Sequence, residues 1–264
     1  MNKLKPSHPL DITAITVDID WAPDFMIDQL AARFSQAGVK CTWFVTHASP
    51  AVDRLKSNPS FELGIHPNFL PGTSHGSNED EIIEYCLKLV PDAKSVRTHA
   101  LVQSSPMLCK LKSAYNIQTD CSLFLPHTPL YHPNTVCHAG NTTPLVRIPY
   151  NWEDDVECLR PMPSWKVDDS VFHFKGMKIF NFHPVYVELN ETDFSRYTAL
   201  KKKISGVMPL NAIDQSTADE FTQPHVEGVL TFFTELLEKI QLQQRTTYTM
   251  TEVTELYLNT YEQY

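Results

Sequence analysis

Short apolar runs separated by amphipathic stretches set the rhythm of this chain. Residues 12–17, 41–45, 61–65, 95–96, 121–125, 145–148 and 178–182 form such runs, and the last shows the clearest alternation. Their brevity and apolar character predict strands buried on both faces. Helical patterns fall between them at 24–36, stopped by Ala37-Gly38, at 79–89 and near 106–114. A long pattern at 227–242, apolar along one face, is expected to be the last helix. Residues 190–224 show little pattern and read as loop, long enough to cover a site or a partner surface. Strands alternating with helices predict a parallel α/β arrangement of about seven strands.

An open doubly wound sheet would give the same alternation, but the polar residues favour a barrel. Asp18 and Asp20 close the first run, Thr46 and His47 the second, and His66 the third. Arg97 and His99 follow the fourth, Trp152, Glu153, Asp154 and Asp155 the sixth, and His183 the seventh. The strand ends of a barrel converge on one rim, and that rim carries the chemistry. Packing alone does not explain reactive side chains at the ends of nearly all the runs.

The 264 residues fit one barrel domain over 1–264, with no internal repeat to divide it. A formal charge of −9 argues against nucleic acid or an anionic membrane as partner, since both need clustered Lys and Arg. A neutral or mildly anionic sugar is left open. There is no apolar run of 18 residues, so no membrane span is expected. Residues 1–9 lack an apolar segment behind Lys3 and Lys5, so no secretory signal is expected. The six cysteines form no CxxC pair and read as free thiols, which suits a cytoplasmic protein.

Val17-Asp18-Ile19-Asp20-Trp21 sets two carboxylates close together at a strand end. Their repulsion favours protonation of one or capture of a cation. A solvated pair before the helix at 24–36 weighs about equally. In Gly64-Ile65-His66-Pro67-Asn68, His66 ends a buried strand and is placed as a metal ligand, while His75 can return across Pro71-Gly72. Two lone histidines would more often be structural; beside two strand-end aspartates they are not. Arg97 either orients a carboxylate through a paired contact or makes a structural ion pair. His183, set in Asn181-Phe182-His183-Pro184, is poorly solvated and suits a general acid more than a core histidine. Trp152, Glu153 and Asp154 read as a sugar-stacking wall or an ordinary acidic loop. His47, His99 and His138 could also be drawn in. No Gly-rich phosphate loop, GxSxG elbow, HExxH helix or paired-cysteine zinc motif is present.

In this order, these residues resemble the polysaccharide deacetylase family, carbohydrate esterase family 4, over about 11–190. Ile15-Thr16-Val17-Asp18-Ile19-Asp20 is similar to its first motif and Cys41-Thr42-Trp43-Phe44-Val45 to its second strand. Gly64-Ile65-His66 resembles the histidine motif, Arg97 the arginine motif and Phe182-His183 the last motif. The resemblance implies a distorted, incomplete (β/α) barrel. It implies a metal, usually zinc, on Asp20, His66 and a second histidine. It also implies Asp18 as general base, oriented by Arg97, and His183 as general acid. The sequence departs from the family where Ile19 separates the aspartates, which leaves their two roles exchangeable. It departs again where Leu70 stands four residues after His66, which makes His75 the expected second histidine. Residues 66–72 resemble deacetylase-like proteins of lipopolysaccharide O-antigen synthesis. The expected activity is removal of an N-acetyl group from an amino sugar. A non-catalytic sugar-binding module and a hydrolase of a non-sugar amide stand as alternatives.

Overall fold

A computed structural model describes residues 10–136, 144–168, 170–173 and 175–261. The elements run β1 (Ile12–Asp18), α1 (Asp24–Ala37), β2 (Cys41–Val45), α2 (Pro50–Lys56), β3 (Phe61–Ile65), α3 (Glu79–Leu89), β4 (Ser95–Val96), α4 (Ser105–Ser113) and β5 (Thr119–Asp120). After these come β6 (Asn134–Val136), β7 (Leu145–Arg147), β8 (Trp152–Glu153), α5 (Asp154–Cys158), α6 (Ser170–His173) and β9 (Met177–Phe182). The chain ends with α7 (Pro184–Leu189), α8 (Ser195–Ile204), α9 (Gln215–Asp219), α10 (Val229–Leu242) and α11 (Met250–Tyr261).

The strands form one curled sheet in the order β6-β7-β5-β4-β3-β2-β1-β9-β8. Every pairing is parallel except β6 with β7. Beyond β5, Leu125 N–H donates to Tyr150 O at 2.8 Å and Tyr150 N–H to Leu123 O at 3.0 Å. Asn151 N–H then donates to Ile179 O of β9 at 3.2 Å, which draws the two sides of the sheet together into an incomplete barrel.

Side-chain alternation divides the core in two. On β1, Ile12 and Ala14 enter the interior, while Ile15 and Val17 face the helices. On β9, Met177 and Ile179 go inward, and Phe180 and Phe182 meet Phe232 and Phe233 of α10. Thr16 and Asn181, paired across β1 and β9, continue the inward row with polar groups. Gly64 makes room beside that row, because a Cβ there would lie 2.8 Å from the ring of Phe44.

Among the described residues, nine strands stand where about seven were expected. The interior run near 121 is not itself the fifth strand: β5 lies two residues earlier, and the run beyond it makes only the bridge Phe124–Tyr150. β6 is short and largely exposed, so it carries no apolar signal. The patternless stretch after 190 contains α8, whose buried positions Arg196, Leu200 and Ile204 form a stripe masked by lysines. α10 is not the last helix. α11 follows it and inserts Met250 and Val253 into the barrel interior, with Met250 N–H donating to Thr42 Oγ1 at 2.9 Å. Its Thr- and Glu-rich sequence hid that anchor. Among the described residues, no helix is long and apolar enough to cross a membrane.

Met250→Ala should empty part of the interior and cost about 2–5 kcal/mol. The measurement is the urea midpoint at constant m-value. A loss below about 1 kcal/mol would mean that α11 is not part of the core.

Candidate metal centre

Parallel pairing places the ends of β1, β3, β4 and β9 on one rim, and Asp18, His66, Arg97 and His183 stand at or just beyond those ends. Backbone bonds from His66 to Val45 O and from Arg97 to Ile65 O extend the ladder and hold both residues in register. After β1 the chain turns through two left-handed residues in succession, Asp20 at φ 36° and Trp21 at φ 55°. Such a conformation in a non-glycine residue costs about 1–3 kcal/mol and persists where the surroundings enforce it. Here Trp21 N–H donates to Thr46 Oγ1 at 3.2 Å and Ala22 N–H to Ile19 O at 2.7 Å.

This turn brings Asp20 Oδ1 to 3.2 Å from His66 Nε2 and 3.2 Å from His99 Nδ1, and the two nitrogens lie 3.3 Å apart. His66 Nδ1 lies 2.8 Å from Arg97 O and can only donate to it, which leaves Nε2 with a lone pair facing the other two atoms. Asp20 Oδ1 is buried without a hydrogen-bond partner. One carboxylate oxygen and two imidazole nitrogens converging in this way fit a divalent metal, and zinc takes this donor set. Burial works to raise the Asp20 carboxyl, but the two imidazoles and the charge of His183 hold it well below 3.8.

Asp18 is held by different partners. Its Oδ1 accepts from Arg97 Nη1 at 3.1 Å and its Oδ2 from Asn181 Nδ2 at 2.9 Å. Asn181 also donates to Glu153 Oε1 at 2.8 Å and accepts from Thr16 Oγ1 at 2.8 Å and from Arg97. Arg97 is fully buried between the rings of Phe44 and Tyr150, 4.6 and 4.2 Å from its guanidinium carbon. On the far side, Asp154 accepts from the backbone N–H of His183 at 2.8 Å and lies 2.6 Å from its Nδ1. His183 Nε2 is then aimed at the two aspartates, 3.7 Å from Asp20 Oδ2 and 4.0 Å from Asp18 Oδ2. Burial alone would lower the His183 imidazole, but the Asp154 carboxylate raises it well above 6.5.

Four expected positions differ. His75 is not in the triad; His99 supplies the third donor. His75 Nδ1 instead accepts from Asn68 N–H at 3.1 Å, its ring stacks on Tyr85, and burial pushes its pKa down to about 4. Trp152 is not a sugar wall: it is buried and stacks on Phe232 with centroids 4.1 Å apart. Glu153 is buried against Tyr150 and Asn181, and Asp154 is spent on His183. The polar group left open there is Asp155, whose buried Oδ1 has no hydrogen-bond partner. His47 is bonded to Thr46 and is not among the three converging donors, and His138 lies outside the described residues. Asn181 was not assigned a role from sequence, although it sits two residues before His183 and so on the same face of the strand.

The match to a family model described as WbmS-like polysaccharide deacetylase spans residues 15–201, which carries every residue of this centre. The chain belongs to the WbmS-like polysaccharide deacetylases. A crystal structure assigned to a polysaccharide deacetylase of O-antigen biosynthesis, WbmS from Bordetella bronchiseptica, is 31% identical with a TM-score of 0.74, over 89% of this chain and 93% of that one. The peptidoglycan deacetylase PdaC from Bacillus subtilis is 11% identical with a TM-score of 0.48, over 96% of this chain and 93% of that one. A carbohydrate esterase family 4 pseudoenzyme from Bacillus anthracis is 12% identical with a TM-score of 0.46, over 95% of this chain and 70% of that one. Among curated proteins, none matches the chain.

For this WbmS-like chain, His99→Ala should weaken zinc binding by about 100-fold or more, whereas His75→Gln should leave it within a few-fold. Competition with a chromogenic chelator reads both. The reverse order would restore His75 as the ligand.

Proposed function

We propose that this protein is a divalent-metal-dependent deacetylase that removes an N-acetyl group from an amino sugar in O-antigen or related polysaccharide synthesis. The observation that carries the reading is the division of labour between the two aspartates. Asp20 faces the imidazoles of His66 and His99, and Asp18 faces Arg97 and Asn181. Asp20, His66 and His99 would hold the metal, for which zinc is the best fit to the donors.

A bound divalent metal supplies Lewis acidity, which makes hydroxide available near neutral pH and polarises an amide carbonyl. Asp18, fixed by two donors and facing the centre, takes the proton of the attacking water. Arg97, buried beside Asp18 and always charged, holds the carboxylate in place through Nη1. His183 gives the proton from Nε2 to the leaving nitrogen, while Asp154 fixes the ring and its Nδ1–H tautomer. The products would be acetate and an amino sugar.

Asp18→Asn should abolish acetate release from N-acetyl sugars and nucleotide sugars by the metal-loaded protein and leave one metal bound. An unchanged rate would take Asp18 out of the base role.

Asp155 is the acceptor available to a sugar hydroxyl or to the leaving amine. Its carboxyl is raised above 3.8, mainly by burial. A raised carboxyl pKa means that the folded state holds the proton more tightly, so stability falls as pH rises from about 4 through the folded pKa. Asp155→Asn should remove that fall in the metal-free protein, visible as a higher Tm at pH 7, and lower kcat/KM about tenfold, a loss of about 1.4 kcal/mol. A variant that gains stability with full activity would show that Asp155 does not touch substrate.

A further inference from the structure

The centre opens to solvent at a small number of side chains, and one of them is aromatic. The side chains of Asp20 and His99 are 22% and 23% exposed, whereas that of His66 is 2% exposed. Trp21, next to Asp20 in the chain, is also only partly buried. The other three tryptophans, Trp43, Trp152 and Trp165, are buried. A half-exposed tryptophan is unremarkable on an ordinary surface. This one sits in a left-handed turn that a bulky side chain adopts at a cost, with its ring edge-on to a metal-binding imidazole.

The indole is also fixed from behind. Its centroid lies 5.3 Å from that of His99 at 84°, and 5.5 Å from that of His75. His75 stacks on Tyr85 at 4.7 Å, and its Nδ1 takes the backbone N–H of Asn68. A continuous series of rings thus runs from Tyr85 through His75 and Trp21 to His99. The arrangement explains why a buried histidine stands at position 75 without serving the metal triad: it offers ring faces to Tyr85 and Trp21 and an edge acceptor to the loop. A rigid indole face beside a metal and hydrogen-bond acceptors suits a pyranose, which offers an apolar C–H face and polar hydroxyl edges.

We propose that Trp21 is the platform on which the pyranose ring of an N-acetyl amino sugar rests, and that His75 is a positioning residue that holds the indole in place. This rests on the deacetylase reading above and extends it to the face of the sugar that is recognised.

The test uses the zinc-loaded full chain with N-acetylglucosamine and N-acetylgalactosamine as probes. Acrylamide should quench mainly the emission of Trp21, since the other three indoles are buried. Saturating sugar should protect that emission, and Trp21→Phe should retain part of the affinity. Trp21→Ala should raise KM about tenfold, with a smaller fall in kcat and one zinc still bound. His75→Gln should weaken sugar binding and increase quenching of Trp21 while zinc affinity holds, which a purely structural histidine would not do. Protection of Trp21 without acetate release would uphold the platform and sink the deacetylase reading. Acetate release with unchanged KM in Trp21→Ala would sink the platform and leave the deacetylase reading standing. Failure of both sugars to protect Trp21, with no acetate released, would overturn both.

Discussion

The ion pair between Arg97 and Asp18 inside the barrel is the contact on which the rest of the centre depends. A guanidinium with no exposed surface is costly to bury, and leaving it unpaired would cost more than the pair itself returns. The barrel meets this with Asp18, Thr16 and Asn181 on two adjoining strands, and with two aromatic faces. The pair fixes Asp18 on one side, so that the next carboxylate along the chain, Asp20, is free to turn towards the histidines. Two aspartates that would otherwise repel each other are thereby given separate partners.

Strain at one turn converts this separation into geometry. Ile19 lies between the two carboxylates and is fully buried against the outer core. The chain must then reverse within two residues for Asp20 to face the rim, and Asp20 and Trp21 both take positive φ to do so. The same reversal leaves the indole beside His99. A longer, relaxed loop would place neither side chain so firmly. Gly64 serves the same end from β3, since only its missing side chain lets Phe44 lie against Arg97.

Much of this was legible in the sequence, and the losses have physical causes. Strand ends carrying Asp18, Asp20, His66, Arg97 and His183 could be seen because buried parallel strands are apolar runs and the rim residues break them. The second histidine could not be assigned, since nothing in a loop's sequence tells whether His75 or His99 folds back. His99 stands two residues beyond Arg97, on a short 3-10 turn whose backbone N–H is held by Pro67 O. Trp152 misled because an aromatic beside carboxylates reads as a sugar wall, whereas β8 turns the indole outward onto α10. α11 was missed because its anchor, Met250 and Val253, is two apolar residues in a polar helix, and burial of both is decided by the open end of the barrel rather than by periodicity.

The central claim is that one carboxylate and two imidazoles, from Asp20, His66 and His99, share a single cation while Asp18 stays on its arginine. X-ray absorption at the zinc edge of the metal-loaded protein tests it directly. The predicted signal is a shell of nitrogen and oxygen at about 2.0–2.2 Å, with the multiple scattering of two imidazoles. One imidazole, or a sulfur shell near about 2.3 Å, would contradict the account.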